Sequence, residues 1–376
     1  MNVKNNLVSK LREKNYHNIA DEEHATVLTG KASFTSDNEI TVTLSDGSIK
    51  EVTDDRIFIN TGATPVIPPI DGLKDSRHVL DSTSAMDQSK LPDSLVIIGV
   101  GNIGLEFAAM FTQYGSKVTV LDASDDFLPQ EDRDVADMVL DDLQDLGIEF
   151  HLGVQIEKVT DNDQSVTVTY SEDGEEKTVE GSKVLTATGR KPNTNGLGLD
   201  NTTIKINDQG AIAVDSDLKT AAENVWAIGD VKGGLQFTYI SLDDYRIIKS
   251  QLSGENSYIL NDRTVVPYTM FINPSLSHVG LHEDEAKEKD IEYKLFKFEA
   301  SGVPKANVLR NPKGVFKILV DPNTGKVLGA TIYAEESHEL INLITLAMKG
   351  DLPYTLLRDQ IYTHPTMSEA LNSGLK

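Results

Sequence analysis

Ser94-Leu95-Val96-Ile97-Ile98-Gly99-Val100-Gly101-Asn102-Ile103-Gly104 decides the fold. The unbroken apolar run up to Ile98 is a strand of the kind covered on both faces in parallel sheets. It leads straight into Gly-x-Gly-x-x-Gly, and from Leu105 to Tyr114 the pattern becomes helical, closed by Gly115. Lys117-Val118-Thr119-Val120-Leu121 is the next strand, so the stretch is one βαβ unit. In such a unit Gly99 permits the tight turn, Gly101 lets a pyrophosphate approach the backbone, and Gly104 lets the helix pack closely on the strand. The helix N-terminus offers unpaired N–H groups and a positive dipole end to phosphate. Asp122 closes the second strand about twenty residues further on, where a carboxylate accepts the ribose hydroxyls of NAD. No arginine stands there for the extra phosphate of NADP, so NADH is favoured over NADPH. Glu106 is expected on the first turn of the helix. Either it interacts with the helix dipole or it touches a nicotinamide or flavin, and the pattern leaves both open.

Working outward, residues 1 to 20 are expected to be the tail of an amphipathic helix. Alternating strands follow through Ile40–Leu44 and Ile49–Val52, with Asp46-Gly47 as a hairpin turn. Arg56-Ile57-Phe58-Ile59-Asn60 is expected as a short buried strand that ends in Thr61-Gly62-Ala63 and a proline-rich break. A helix over residues 132–146 and a meander of strands to about residue 180 follow the βαβ unit. Lys183-Val184-Leu185-Thr186-Ala187 then ends in Thr188-Gly189-Arg190-Lys191-Pro192, an echo of the break at residues 61–65. Two such crossovers around an inserted βαβ unit imply one α/β domain nested inside another. From about Val265 onward the pattern is an α+β unit with two helices.

The bulk numbers bound the function. The 35 basic and 59 acidic residues give a net charge of -24, which repels nucleic-acid backbones and anionic membrane surfaces. There are no cysteines, which excludes disulfides, thiolate metal sites and thiol nucleophiles within these 376 residues. No run approaches the roughly 18 apolar residues a membrane span needs. A cytoplasmic location is expected.

Two further constellations carry chemistry. Gly229-Asp230 follows the apolar Asn224-Val225-Trp226-Ala227-Ile228, and an aspartate at a strand end either binds a sugar-alcohol chain or caps a helix. His364-Pro365-Thr366-Met367-Ser368-Glu369 places an imidazole and a carboxylate five residues apart on a proline-bounded turn. That spacing fits a hydrogen-bonded acid/base pair, and equally a structural histidine beside a surface carboxylate. No second histidine lies near enough in sequence for a metal site, and none is expected.

Together these residues resemble the pyridine nucleotide–disulfide oxidoreductases. The likeness runs through Thr61-Gly62-Ala63, Gly99 to Glu106, Ala187-Thr188-Gly189-Arg190, Ala227-Ile228-Gly229-Asp230, Val266-Pro267-Tyr268 to Pro274, and His364-Pro365-Thr366. Gly234 to Arg246 and Leu357 to Ile361 are similar to the subgroup that confers resistance to reactive chlorine and hypothiocyanous acid. The resemblance implies electron flow from NAD(P)H to FAD, to a redox disulfide, and on to a small oxidised substrate. It implies that Asp230 holds the FAD ribityl chain, that the segment containing Phe237 and Thr238 lies along the flavin, and that His364, backed by Glu369, protonates a thiolate in the partner of a homodimer. On this basis residues 1–80 and 190–262 are expected to be a partial FAD-binding domain, residues 81–189 an NAD(P)-binding domain, and residues 263–376 a C-terminal dimerisation domain.

The sequence also departs from the family pattern. Members carry a first Gly-x-Gly-x-x-Gly unit for FAD and a Cys-x4-Cys helix, about seventy residues in all. Neither occurs here, and Asn102 stands where many relatives place a tyrosine over the nicotinamide pocket. Three readings follow: a reductase without its redox cysteines, a non-catalytic NAD-binding and dimerisation protein, or one part of a split enzyme.

Overall fold

The computed structural model describes residues 2–376. Its backbone contacts divide the chain into two units. One contains residues up to Val66, Asp87–Ser89 and Gly189–Arg263; the other contains Ile67–Met86, Lys90–Thr188 and Thr264–Lys376.

In the second unit, apolar runs without alternation form a parallel sheet. Its strand order is Val79–Leu80, Lys183–Thr186, Ser94–Ile98, Lys117–Leu121, Glu149–His151. Leu95 to Ile98 are all buried, as strands covered on both faces require. The helix Asn102–Tyr114 ends at Gly115, whose φ of 104° is the left-handed conformation that glycine adopts without cost. The helix Arg133–Asp145 follows, and Val135, Ala136, Val139 and Leu143 turn its buried face to the core. The expected meander is the antiparallel sheet Gln155–Asp161, Val166–Glu172, Glu175–Gly181.

The C-terminal part is a five-stranded antiparallel sheet in the order Tyr268–Met270, Leu276–Gly280, Val327–Tyr333, Val315–Val320, Lys294–Glu299. The helix Ser337–Lys349 packs against it. Met270, Ile272, Leu276, Val315 and Tyr333 share one core with Leu95, Phe107 and Val135, which ties this sheet to the parallel one. Five helices form here among the described residues rather than two. Four of them span only five or six residues, too short for a periodic signature.

In the first unit, Gly30–Phe34, Glu39–Leu44 and Ile49–Thr53 make an antiparallel sheet. The turn at Asp46-Gly47 forms as expected, with Gly47 at φ 82° and the Ser48 N–H donating to Asp46 Oδ1. Ile57–Ile59 pairs in parallel with Val225–Ala227, but only Ile59 of that short strand is buried. Phe58 lies partly in solvent, stacked on Trp226 with ring centroids 5.0 Å apart. The expected N-terminal helix runs over Asn2–Ala20 but buries none of its side chains, and Val3, Leu7 and Leu11 are exposed. The pattern is helical, yet no described residue covers its apolar stripe. No helix among the described residues is long and apolar enough to cross a membrane.

Charge inside the second unit is concentrated where the helix Arg133–Asp145 begins. Lys317, 1% exposed, points Nζ at Asp132 (2.8 Å), Asp134 (2.7 Å) and Glu283 (2.8 Å). Burial works against its charge, but the carboxylate hydrogen bonds outweigh it and hold the ammonium above its usual range. Asp132 also accepts the N–H groups of Glu283 and Asp284. Beside it, buried Glu131 accepts the Tyr268 hydroxyl, while its Oε2 faces His282 Nδ1 at 3.9 Å and neither atom has a hydrogen-bond partner. Burial pushes the Glu131 carboxyl up to about 7.

A carboxyl with a raised folded-state pKa stabilises the fold fully below its unfolded value and loses that contribution as pH rises through about 7. Glu131→Gln, with no proton to lose, is therefore expected to gain stability relative to wild type from pH 5 to pH 8, by roughly 2–4 °C in Tm per kcal/mol. Thermal melts of both proteins at both pH values check this. Lys317→Ala is expected to destabilise by about 3–5 kcal/mol, since it leaves buried Asp132 without a cation and takes one of two from Asp134 and Glu283; chemical denaturation measures it.

Candidate functional site

The parallel sheet reverses direction of growth between Ser94–Ile98 and Lys183–Thr186. Ligands of open α/β sheets bind outside the carboxyl ends of the strands at such a switch point. Gly99 to Gly104 leave one of these strand ends and Ala187 leaves the other. They touch: a Cβ on Gly99 would lie 2.6 Å from the Ala187 carbonyl oxygen, and one on Gly104 would lie 2.1 Å from the Gly99 carbonyl oxygen. Gly101, by contrast, has open space where a side chain would stand. It is the N-cap of Asn102–Tyr114 with no side chain satisfying the first N–H groups, so Asn102, Ile103 and Gly104 present an anion-ready helix start.

Asp122 lies at the next strand end and ties the loop down. Its Oδ2 accepts the Val100 N–H (2.8 Å) and its Oδ1 the Ser124 N–H (2.7 Å). Lone pairs remain on both oxygens for a ribose hydroxyl. Because the helix starts at Asn102, Glu106 lies on its second turn rather than its first. Its half-buried carboxylate accepts the Phe271 N–H at 2.8 Å, and burial raises its pKa more than this bond lowers it. It therefore reaches across the site instead of sitting at the dipole end.

In the other unit the two echoing breaks come together. Ala63–Pro65 pairs antiparallel with Arg190–Pro192, Thr61 Oγ1 donates to the Asn193 carbonyl, and the Asn193 N–H donates to the Gly62 carbonyl. Arg190 donates to the Ala63 carbonyl, and the Val66 N–H donates to that of Gly189. Gly229 sits at φ 67°, pressed against Asn60 and Ser241. Its N–H donates to buried Asp244, which also binds Arg263 (2.6 Å) and Lys232 (3.4 Å). This anchor of the Gly229-Asp230 turn escaped the sequence reading, because its members lie far apart in the chain. The half-buried Asp230 carboxylate makes no hydrogen bond or ion pair among the described residues, so it caps nothing. Phe237 is the N-cap of Thr238–Leu252 and stacks on Tyr239 at 5.0 Å.

At the C-terminal turn, His364 Nδ1 lies 2.8 Å and 3.1 Å from the two carboxylate oxygens of Glu369. The Thr366 N–H also donates to Glu369, and these two bonds hold its carboxyl below the usual range. The imidazole itself is 69% exposed, so it is oriented from behind and open in front.

This geometry is met elsewhere. Residues 2–244 match the pyridine nucleotide-disulphide oxidoreductases, and residues 266–374 match the dimerisation domain of the same family. The chain belongs to the pyridine nucleotide-disulphide oxidoreductase family. It is 44% identical over 369 residues to the probable pyridine nucleotide-disulfide oxidoreductase RclA of Escherichia coli (strain K12), covering 98% of this chain and 82% of that one. It is 33% identical over 368 residues to a mercuric reductase of Staphylococcus aureus, covering 98% and 66% respectively. The structure of the HOCl-induced flavoprotein disulfide reductase RclA from E. coli superposes with a TM-score of 0.94 at 42% identity, covering 99% of this chain and 83% of that one. Members of this oxidoreductase family use FAD and a pyridine nucleotide.

The two loop glycines are expected to fail differently. Gly104→Ala drives a Cβ into backbone and should cost about 2 kcal/mol or more of stability. Gly101→Ala should melt like wild type yet bind NADH at least roughly tenfold more weakly, through lost phosphate approach. Calorimetric melting together with NADH titration separates the two.

Proposed function

We propose that this chain docks NADH and donates protons in a flavin-dependent disulfide oxidoreductase of the family to which it belongs, acting as a homodimer on a small oxidised substrate. The observation that carries this reading is the contact of the Gly99–Gly104 loop with Ala187 at the switch point, beside a carboxylate at Asp122. The open side of Gly101 and the uncapped helix start would take the pyrophosphate. Asp122 would take the adenosine ribose, and its charge disfavours a 2′-phosphate, hence NADH over NADPH. Asn102, Ile103 and Glu106 would line the path toward the nicotinamide.

For FAD, the fit rests on the Asp230 carboxylate, half-buried yet unclaimed by protein donors. It would accept the ribityl hydroxyls, with Thr61-Gly62-Ala63, Gly189-Arg190, Phe237 and Thr238 beside the cofactor. When bound, FAD supplies two-electron transfer between nicotinamide and sulfur. Glu369 accepts from His364 Nδ1, which leaves Nε2 as the exposed atom that gives a proton to a departing thiolate. The dimerisation-domain match supports a homodimer, in which His364 would act at the other subunit's substrate site. No cysteine occurs among these 376 residues, so the sulfur comes from outside this sequence. The relative described as HOCl-induced supports an oxidised sulfur or chlorine species as substrate.

The same lack of cysteine favours a second reading, an NADH-binding protein without electron transfer. Anaerobic NADH added to FAD-loaded protein decides between them: loss of the flavin's visible absorbance is expected, and retention of colour with NADH still bound leaves only the second. NADH should bind about tenfold more tightly than NADPH, and Asp122→Ala should narrow that ratio; calorimetric titration of both nucleotides measures it.

A further inference from the structure

Behind the loop that holds Glu106 lies a buried line of hydroxyls with an assignable direction. Ser337 Oγ lies 2.7 Å from the Ser275 carbonyl oxygen, 2.8 Å from Ser275 Oγ and 2.8 Å from Ser277 Oγ. Ser277 Oγ in turn meets Thr269 Oγ1 at 2.8 Å, and Ser275 Oγ meets His338 Nδ1 at 3.1 Å. A carbonyl can only accept, so the single proton of Ser337 goes to it. Ser275 and Ser277 must then each donate to Ser337 Oγ. With its own proton spent, Ser275 can meet His338 only as an acceptor, because its 3.5 Å approach to the Ala334 carbonyl is too long to compete. His338 therefore carries its proton on Nδ1, and buried Ser275, itself bonded to buried Ser337, anchors its ring.

The ring supports one neighbour in particular. Phe271 packs against it with centroids 5.6 Å apart and an interplanar angle of 49°. The phenyl group is otherwise 63% exposed, and the same residue's N–H holds Glu106. We infer that His338 is a positioning residue for the nicotinamide end of the dinucleotide site, acting through Phe271 on the Glu106 carboxylate. The inference rests on the reading that Gly99–Glu106 binds NADH. It assigns no proton transfer to His338, which works by donating Nδ1–H to Ser275 and bracing the phenyl ring. Ser275, Ser277, Ser337 and His338 thus form a support that the fingerprint loop does not contain.

Two ligands separate the ends of the site: NADH, and ADP-ribose, which lacks the nicotinamide. His338→Leu removes the donor and is expected to weaken NADH binding roughly three- to tenfold, the scale of one mispositioned hydrogen bond, while ADP-ribose binds as to wild type. His338→Asn restores an N–H donor near the Nδ1 position and should recover NADH binding to within about twofold. Should His338→Leu fail to fold, Ser275→Ala keeps the imidazole, removes its anchor and is expected to show the same split. Equal weakening of both ligands would show a merely structural role and overturn the inference, as would unchanged NADH binding in both His338→Leu and Ser275→Ala. Wild-type protein that binds neither ligand would instead overturn the dinucleotide-site reading, and the inference with it.

Discussion

The close approach of two loops at the sheet's switch point is the constraint on which the site depends. Where Gly99 and Gly104 lie, no other residue type fits, because backbone oxygen occupies the space a Cβ would need. That contact brings the helix Asn102–Tyr114 down onto the sheet and aims its first N–H groups outward. Asp122 then fixes the same loop from the neighbouring strand through the Val100 N–H. Three separate strand ends converge on one short segment, so its geometry is inherited from the sheet rather than from loop stiffness.

Much of this was legible in the chain itself. Uninterrupted aliphatic runs placed the central parallel strands, glycines marked both ends of Asn102–Tyr114, and Asp46-Gly47 marked the hairpin. The meander of Gln155 to Gly181 followed from alternation. What escaped has a common physical cause, dependence on distant partners. Periodicity shows that residues 2–20 are helical but not whether anything covers them. Motif spacing put Glu106 a turn too early, because the helix begins inside the glycine fingerprint. Asp244 with Arg263, and Ser275 with Ser337, meet only after folding, and their residue types are unremarkable one by one. His364 and Glu369 were legible because their partnership is local.

The acidic balance of the chain also takes on a structural meaning at Lys317. Three carboxylates surround one buried ammonium, two of them shared with Lys287 and Lys297, and nearby Glu131 favours its neutral form because it is buried, with Asp132 adding to the shift. Such clusters contribute less to net stability than their geometry implies, because each ion loses its hydration. Their directional bonds do fix how the start of Arg133–Asp145 sits against the antiparallel sheet.

Trp226, the only tryptophan in the sequence, is 5% exposed, stacked on Phe58 and hydrogen-bonded to Gln251. The unit containing Asp230 thus holds a built-in optical probe, while the unit with the glycine fingerprint has none. Indole emission follows the melting of one half of the protein, and circular dichroism follows both. Coincident curves would mean the halves unfold as a single cooperative body; separated curves would mean each stands on its own core.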